Sequence, residues 1–229
     1  MTGVIVDVDD TLIVTARRMQ ELWGLLLGRD VPREAVETLG VEQIFLKFAT
    51  KEQLAAVKTF QKRYWDLLLC LDPAGVESLR LHEPMPHAAE VLHRWSRHSE
   101  IVYLTGRTEN TRALTLDELT RFGFPVENTR LLMFQPDDYA RPKGDDPSGP
   151  TLVDTKFRLS SDVCRTGNVV RVVDDYPGYF PRFQQLAIPD RIGFLNAKKY
   201  TPQRYLDSGA TRVVASWAEL RDDVPRVSG

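Results

Sequence analysis

Three aspartates fall within four positions at the end of an apolar run: Asp7, Asp9 and Asp10 in VIVDVDDTLI, residues 4–13. If a strand continues through them, Asp7 and Asp9 share one face, because side chains alternate with a period of two. Carboxylates held that close repel, and the repulsion is relieved by a cation or by a shared proton. A hard divalent ion such as Mg²⁺ suits them, since it takes oxygen ligands from one or two carboxylates together with phosphate and water. A calcium-binding EF-hand loop starting at Asp7 would need Gly and Glu where the chain has Leu12 and Arg18, so that chemistry is excluded.

Such a cluster needs a rigid frame to aim it. Short β-rich runs recur at 4–8, 101–105, 130–134, 169–173, 191–195 and 211–215, with amphipathic helical stretches between most of them, as at 86–98 and 110–123. Strands apolar on both faces and alternating with helices predict an α/β fold, a doubly wound parallel sheet covered on both sides. Ligands of such sheets gather at the carboxyl ends of the strands, near the topological switch point.

The stretch 15–81 lacks a strand signal and reads as three helices, 15–27, 32–48 and 50–71. Pro32 has the character of a helix-start residue, and Thr50 with Gln53 has the form of a capping box. About 65 helical residues exceed a simple crossover connection. The expected organisation is therefore a core of 1–14 and 82–229 with an inserted helical cap of 15–81. The Pro, Gly and Asp-rich segment 135–150 reads as irregular loop.

With 229 residues, 42% hydrophobic and 27% charged, the chain can build one sizeable core plus an insertion. The net charge of -2 and the absence of a long Lys/Arg run argue against a dedicated nucleic-acid binder. Cys70 and Cys164 form no CxxC pair and are expected to be thiols. No basic leader precedes the first strand, and the apolar run 22–28 is too short to span a bilayer, so a cytoplasmic location without membrane association is expected.

Four signals appear in order along the chain: DVDDT at 7–11, YLTGR at 103–107, Lys156 in VDTKF, and VVRVVDDYP at 169–177. Together they resemble the four motifs of the haloacid dehalogenase (HAD) superfamily, a group of mostly Mg²⁺-dependent phosphatases and phosphotransferases. A helical insert after the first motif is similar to what that superfamily calls a C1 cap. The resemblance implies a Rossmann-like core, Mg²⁺ as cofactor and a small phosphorylated substrate.

By the same resemblance Asp7 is the nucleophile that becomes an aspartyl phosphate, and Asp9 is the acid that protonates the leaving group and then the base that activates water. Thr105 and the Gly106 N–H would bind the phosphoryl oxygens. Lys156 would neutralise charge on Asp7 and on the phosphoryl group. Asp174 would hold Mg²⁺ with Asp7 and the Asp9 carbonyl, and Asp175 would join directly or through water. The electrostatics agree, because phosphoryl transfer spreads charge over equatorial oxygens and is catalysed by positioning and by cations. Beside Mg²⁺ and Lys156, Asp7 is expected to stay ionised while Asp9 keeps a proton.

Other residues have structural readings. Arg107 could reach a substrate phosphate or pair with a carboxylate such as Asp175. Lys143 is a rival to Lys156, which opens a helical stretch after Asp154. Asp10 is expected to shape a turn and Thr11 to brace it. His82, His87, His93 and His98 lie in one stretch, but the helical period turns His93 and His98 apart. Trp23, Phe45, Phe48, Phe60, Tyr64 and Trp65 read as the core of the cap. Dehalogenation is disfavoured because it does not need Asp9. A phosphomutase, a nucleotide or polynucleotide 3'-phosphatase and a phospho-ligand-binding scaffold are the alternatives.

Overall fold

Val4, Ile5 and Val6 are fully buried, and they lie on the central strand β1 (Thr2–Val6) of a six-stranded sheet. Its other strands are β2 (Ser99–Thr108), β3 (Arg130–Phe134), β4 (Asn168–Asp174), β5 (Asp190–Phe194) and β6 (Arg212–Val214). They run parallel in the order β3-β2-β1-β4-β5-β6. This is the doubly wound α/β arrangement that the apolar runs predict. Its switch point lies at β1, whose neighbours are β2 on one side and β4 on the other. This computed structural model describes residues 2–140, 151–195 and 199–225. No described helix is long and apolar enough to cross a membrane.

The chain divides into two compact units, the sheet unit of 1–13, 84–196 and 200–229, and a second of 14–83 with 197–199. In the sheet unit the helices are α7 (Ala88–Ser96), α8 (Arg112–Arg121), α9 (Asp137–Ala140), α10 (Leu152–Thr166), α11 (Phe180–Gln185) and α12 (Pro202–Asp207). Ile5, Val102, Leu104 and Val172 pack with Val163 of α10, Phe180 and Phe183 of α11 and Tyr205 of α12. Trp95 of α7 stacks near Trp217, which in turn meets Phe194. Truncating a buried residue such as Ile5 to Ala in this core would cost about 2–5 kcal/mol.

The second unit is more broken than three helices. It contains α1 (Ala16–Leu27), α2 (Arg33–Thr38), α3 (Val41–Phe48), α4 (Lys51–Ala55), α5 (Val57–Leu68) and α6 (Pro73–Glu77). Gly40 takes an extended conformation and begins α3, which splits the expected 32–48 helix. The Thr50–Gln53 capping box is formed, with Gln53 N–H donating to Thr50 Oγ1 and Thr50 N–H to Gln53 Oε1. Trp23 and Tyr64 are buried in this unit's core, and Phe45, Phe48, Phe60 and Trp65 pack around it.

Three strand boundaries differ from the sequence reading in ways that matter below. β1 ends at Val6, so Asp7 and Asp9 are not successive outward positions of one strand. β2 runs on to Thr108, which places Thr105 inside the strand rather than at its end and Gly106 within it rather than after it. In the expected loop 135–150, Asp137–Ala140 is a helical turn, and 141–150, with Lys143, lies outside the described residues.

Candidate active site

Asp7 is the first residue past β1, yet its N–H still donates to Val173 O at 3.0 Å. The ladder pairs Val6 with Val173, so the two central strands deliver Asp7 and Asp174 side by side at their carboxyl ends. Both are buried, at 6% and 1% exposure. Thr11 Oγ1 donates to Asp7 Oδ2 at 3.1 Å, so the expected turn brace acts on the carboxylate itself. The turn is held by Trp217 Nε1–H donating to Thr11 O at 2.7 Å, and Asp10 takes a left-handed φ of 58° within it.

Lys156 comes from the buried face of α10, which it shares with Ser160 and Val163. The helix is started by Thr151 and Asp154 in a reciprocal cap. Lys156 Nζ donates to Asp7 Oδ1 at 2.7 Å and lies 2.7 Å from Asp174 Oδ2, a contact that gives Oδ2 no aligned hydrogen bond. The ring of Tyr179 lies 4.3 Å from the same ammonium. Burial pulls Lys156 down, but Asp174 and Asp7 outweigh it and hold its pKa well above the ordinary lysine value.

Among the described residues, Asp7, Asp174 and Asp175 form the group of side chains that could hold a metal ion, with ligand oxygens within 4.8 Å of one another. Octahedral Mg²⁺ with bonds of about 2.0–2.1 Å spans only slightly less between opposite ligands. Burial raises the Asp7 pKa from 3.8 to about 7; Lys156 opposes this, while Asp174 and Asp9 add to it. Burial likewise raises Asp174, against Lys156, and raises Asp175 well above the carboxylate range with help from Asp7, Asp10 and Asp174. Among the described residues three carboxylates thus gather at one ammonium, and with all three ionised they would carry an excess of two negative charges. That excess, the oxygen-only donor set and the hydrogen-bond deficit at Asp174 Oδ2 fit a hard divalent cation.

Asp9 takes a different course. Arg107 donates from Nε to Oδ2 at 3.0 Å and from Nη2 to Oδ1 at 2.7 Å, a fork that matches an ionised carboxylate. The fork leaves lone pairs on the far side of both oxygens, where Asp9 can take up a proton. Of the two readings of Arg107, pairing with a nearby carboxylate is the one seen, although its partners are Asp9 and Glu118 rather than Asp175; Glu118 Oε2 accepts from Nη1 at 2.6 Å. Thr105, fully buried, points its hydroxyl at Asp9 Oδ2 at 3.5 Å and accepts from Arg107 N–H at 3.1 Å.

The β2–β3 ladder shifts register between Leu104 and Thr108, which takes residues 105–107 out of regular pairing. Tyr139 uses the gap, donating its hydroxyl to Gly106 O at 2.6 Å. A Cβ at Gly106 would come within 2.9 Å of that hydroxyl, so a larger residue there would push the Tyr139 side chain aside. Tyr139 and Glu118 are the site neighbours that the sequence reading missed. Glu118 had a signal: it lies on the α8 face with Thr115 and Leu119, a helical spacing at which an acid is out of place unless paired. The histidines do not gather at the site. His93 bonds Gly123 O, His87 contacts Arg221, and His98 lies beyond the end of α7.

No family model matches the sequence, and no curated protein does. Solved structures do. A haloacid dehalogenase-like hydrolase from Streptococcus pneumoniae aligns over 96% of both chains with a TM-score of 0.61 and 13% identity. A hydrolase from Pseudomonas syringae aligns over 100% of both chains with a TM-score of 0.61 and 14% identity. The chain has the haloacid dehalogenase-like fold. A predicted phosphoglycolate phosphatase from Haemophilus somnus shares this HAD-like fold at a TM-score of 0.60, with 13% identity over 96% of both chains. Within the HAD-like fold of this chain, Asp7, Asp174 and Asp175 stand at the carboxyl ends of adjacent central strands, with Lys156 reaching them from α10.

Proposed function

We propose that the chain is a Mg²⁺-dependent phosphatase that hydrolyses a small phosphorylated metabolite through an aspartyl phosphate on Asp7. The observation that carries this reading is the buried Asp7–Lys156–Asp174 unit, in which one ammonium touches both carboxylates and one negative charge remains unbalanced, or two when Asp175 beside them is also ionised. A structural ion pair would be balanced; this one suits a cation and a phosphoryl group.

Asp7, Asp174, Asp175 and the Asp9 carbonyl would hold Mg²⁺, which supplies positive charge against the phosphoryl oxygens when bound. Asp7 Oδ1 and Oδ2 are oriented by Lys156 and Thr11, which leaves the carboxylate one rotamer for in-line attack. Lys156 neutralises charge there at every stage of the reaction. Asp9 gives a proton to the departing alcohol oxygen as its bond to phosphorus breaks. It then takes one from the water that cleaves the aspartyl phosphate. The Gly106 N–H and Thr105 lie on the irregular stretch of β2 beside Asp9 and would bind phosphoryl oxygens. The net charge of -2 supports a small substrate over nucleic acid, and Cys70 and Cys164, which are not joined in a disulfide, agree with a cytoplasmic location.

The test is phosphate release from a broad panel of phosphate monoesters, with and without Mg²⁺, using Asp7→Asn as the blank. Release is expected to need both Mg²⁺ and Asp7, and Asp7→Asn should lower kcat by at least about three orders of magnitude. A panel with no release of that kind would overturn the reading. Transfer to a second sugar phosphate in place of water would make the enzyme a phosphomutase.

A further inference from the structure

Arg107 is nearly enclosed, with its side chain 8% exposed, and its fork faces a carboxylate on the turn after β1 rather than open solvent. Nε and Nη2 take the two oxygens of Asp9, while Nη1 is anchored by Glu118 Oε2 at 2.6 Å and Thr115 Oγ1 at 3.3 Å. Glu118 is itself buried, at 4% side-chain exposure, so the guanidinium is held from behind by a fixed charge. The backbone that carries it is pinned at both ends of one peptide group. Gly106 O accepts from Tyr139, and Arg107 N–H donates to Thr105 Oγ1. Asp9 lies on a turn rather than within a strand, so its carboxylate needs a partner to fix its direction.

We propose that Arg107, backed by Glu118 and Thr115, is the positioning residue that sets the aim of the Asp9 carboxylate. The inference rests on the proposed phosphatase reading, in which Asp9 serves the leaving group first and water second. A planar fork defines both the plane and the direction of a carboxylate, which a point charge does not. Arg107 therefore acts through Asp9 and not on the phosphoryl group.

The two steps of the reaction allow a test that a merely structural role would not pass. kcat/KM reports the first step, in which the P–O bond to the leaving group breaks as the bond to Asp7 forms. An alkoxide leaving group needs the Asp9 proton there, and a 4-nitrophenolate does not. kcat also includes cleavage of the aspartyl phosphate, which needs Asp9 as base whatever the ester was. In Arg107→Lys, which keeps the charge and loses the fork, the ratio of kcat/KM for the best alkyl ester to that for 4-nitrophenyl phosphate should fall about 30-fold, within the range of general acid catalysis. Phosphorylated enzyme should accumulate with 4-nitrophenyl phosphate, measured by acid quench and mass spectrometry. Adding Arg107→Lys to Asp9→Asn should cost nothing further.

Glu118→Gln leaves the fork in place and weakens its anchor, so the same ratio should fall about threefold, and this variant carries the test if Arg107→Lys does not fold. Equal losses of kcat/KM on both esters, or an added loss in the Asp9→Asn background, would overturn the proposal. Wild-type protein that releases phosphate from neither ester would overturn the phosphatase reading, and this inference with it, before any variant is made.

Discussion

Strand β4 carries two buried charges three positions apart, Arg171 and Asp174, and they belong to opposite kinds of cluster. Arg171 donates from Nε to Asp190 Oδ2 at 2.6 Å and from Nη2 to Asp223 Oδ1 at 2.9 Å, and packs its guanidinium on the Trp95 ring. Arg212 meets the same two acids. Two cations and two anions close on each other, and the fork geometry satisfies their lone pairs. At the carboxyl end of the same strand, Asp174 joins Asp7 and Asp175 around Lys156, the one cation that pairs with them among the described residues. Burial by itself therefore does not mark a site; an uncompensated charge does, because removing like charges from water together costs energy that folding alone would not retain.

The largest expected difference comes from breaking the balanced cluster. Arg171→Leu leaves Asp190 and Asp223 sharing Arg212, and should lower unfolding stability by about 3–5 kcal/mol in urea titration, with kcat/KM of the folded fraction little changed. A loss of activity without a loss of stability would erase the contrast between the two regions.

A smaller effect should come from balancing the unbalanced one. Mg²⁺ at about one hundred times its dissociation constant should raise the melting temperature by roughly 5–10 °C, the equivalent of about 2.7 kcal/mol for a chain of this size. Asp174→Asn should abolish that rise while raising the melting temperature of metal-free protein, since one crowded charge is gone. A rise that survives in Asp174→Asn would place the cation elsewhere.

The smallest effect distinguishes the clusters by pH in metal-free protein. Asp7 binds its proton more tightly folded than unfolded, with its pKa raised from 3.8 to about 7, so its contribution is complete in acid and is lost as pH rises through about 7. Asp223 has the opposite sign. Burial works against it, but Arg212 and Arg171 hold its pKa below the ordinary 3.8, so its contribution is present above that value and is lost as pH falls through the lowered one. Melting temperature should therefore decline by a few degrees on both sides of an optimum near pH 4, and Mg²⁺ should flatten only the alkaline side. A decline on the alkaline side that Mg²⁺ leaves unchanged would detach it from Asp7.

Much of the sheet was legible because its signal is local. Runs such as VIVDV and VVRVV are apolar at nearly every position that the sheet covers, Arg171 being the exception, and five of the six strands fall within two residues of the runs that predict them. β2 is the exception at its far end, where polar Thr105–Thr108 continues as strand because Tyr139, Arg107 and Thr105 satisfy peptide groups that the ladder does not. The helix breaks at Gly40 and Ala56 were not legible, since each is a single backbone choice made by packing within the unit.

The same division holds at the site. Sequence alone determined that acids stand at the ends of apolar strands, that a lysine opens the helical stretch before β4, and that the glycine after Thr105 precedes an arginine. These facts follow from alternation and helical period, which act over a few residues. Only the tertiary structure decided which charges meet: that Lys156 reaches both Asp7 and Asp174, and that Arg107, 98 positions away, takes Asp9 and is steadied by Glu118. Coulomb energy depends on distance through space and on how much water has been removed, and neither is written in the order of the residues.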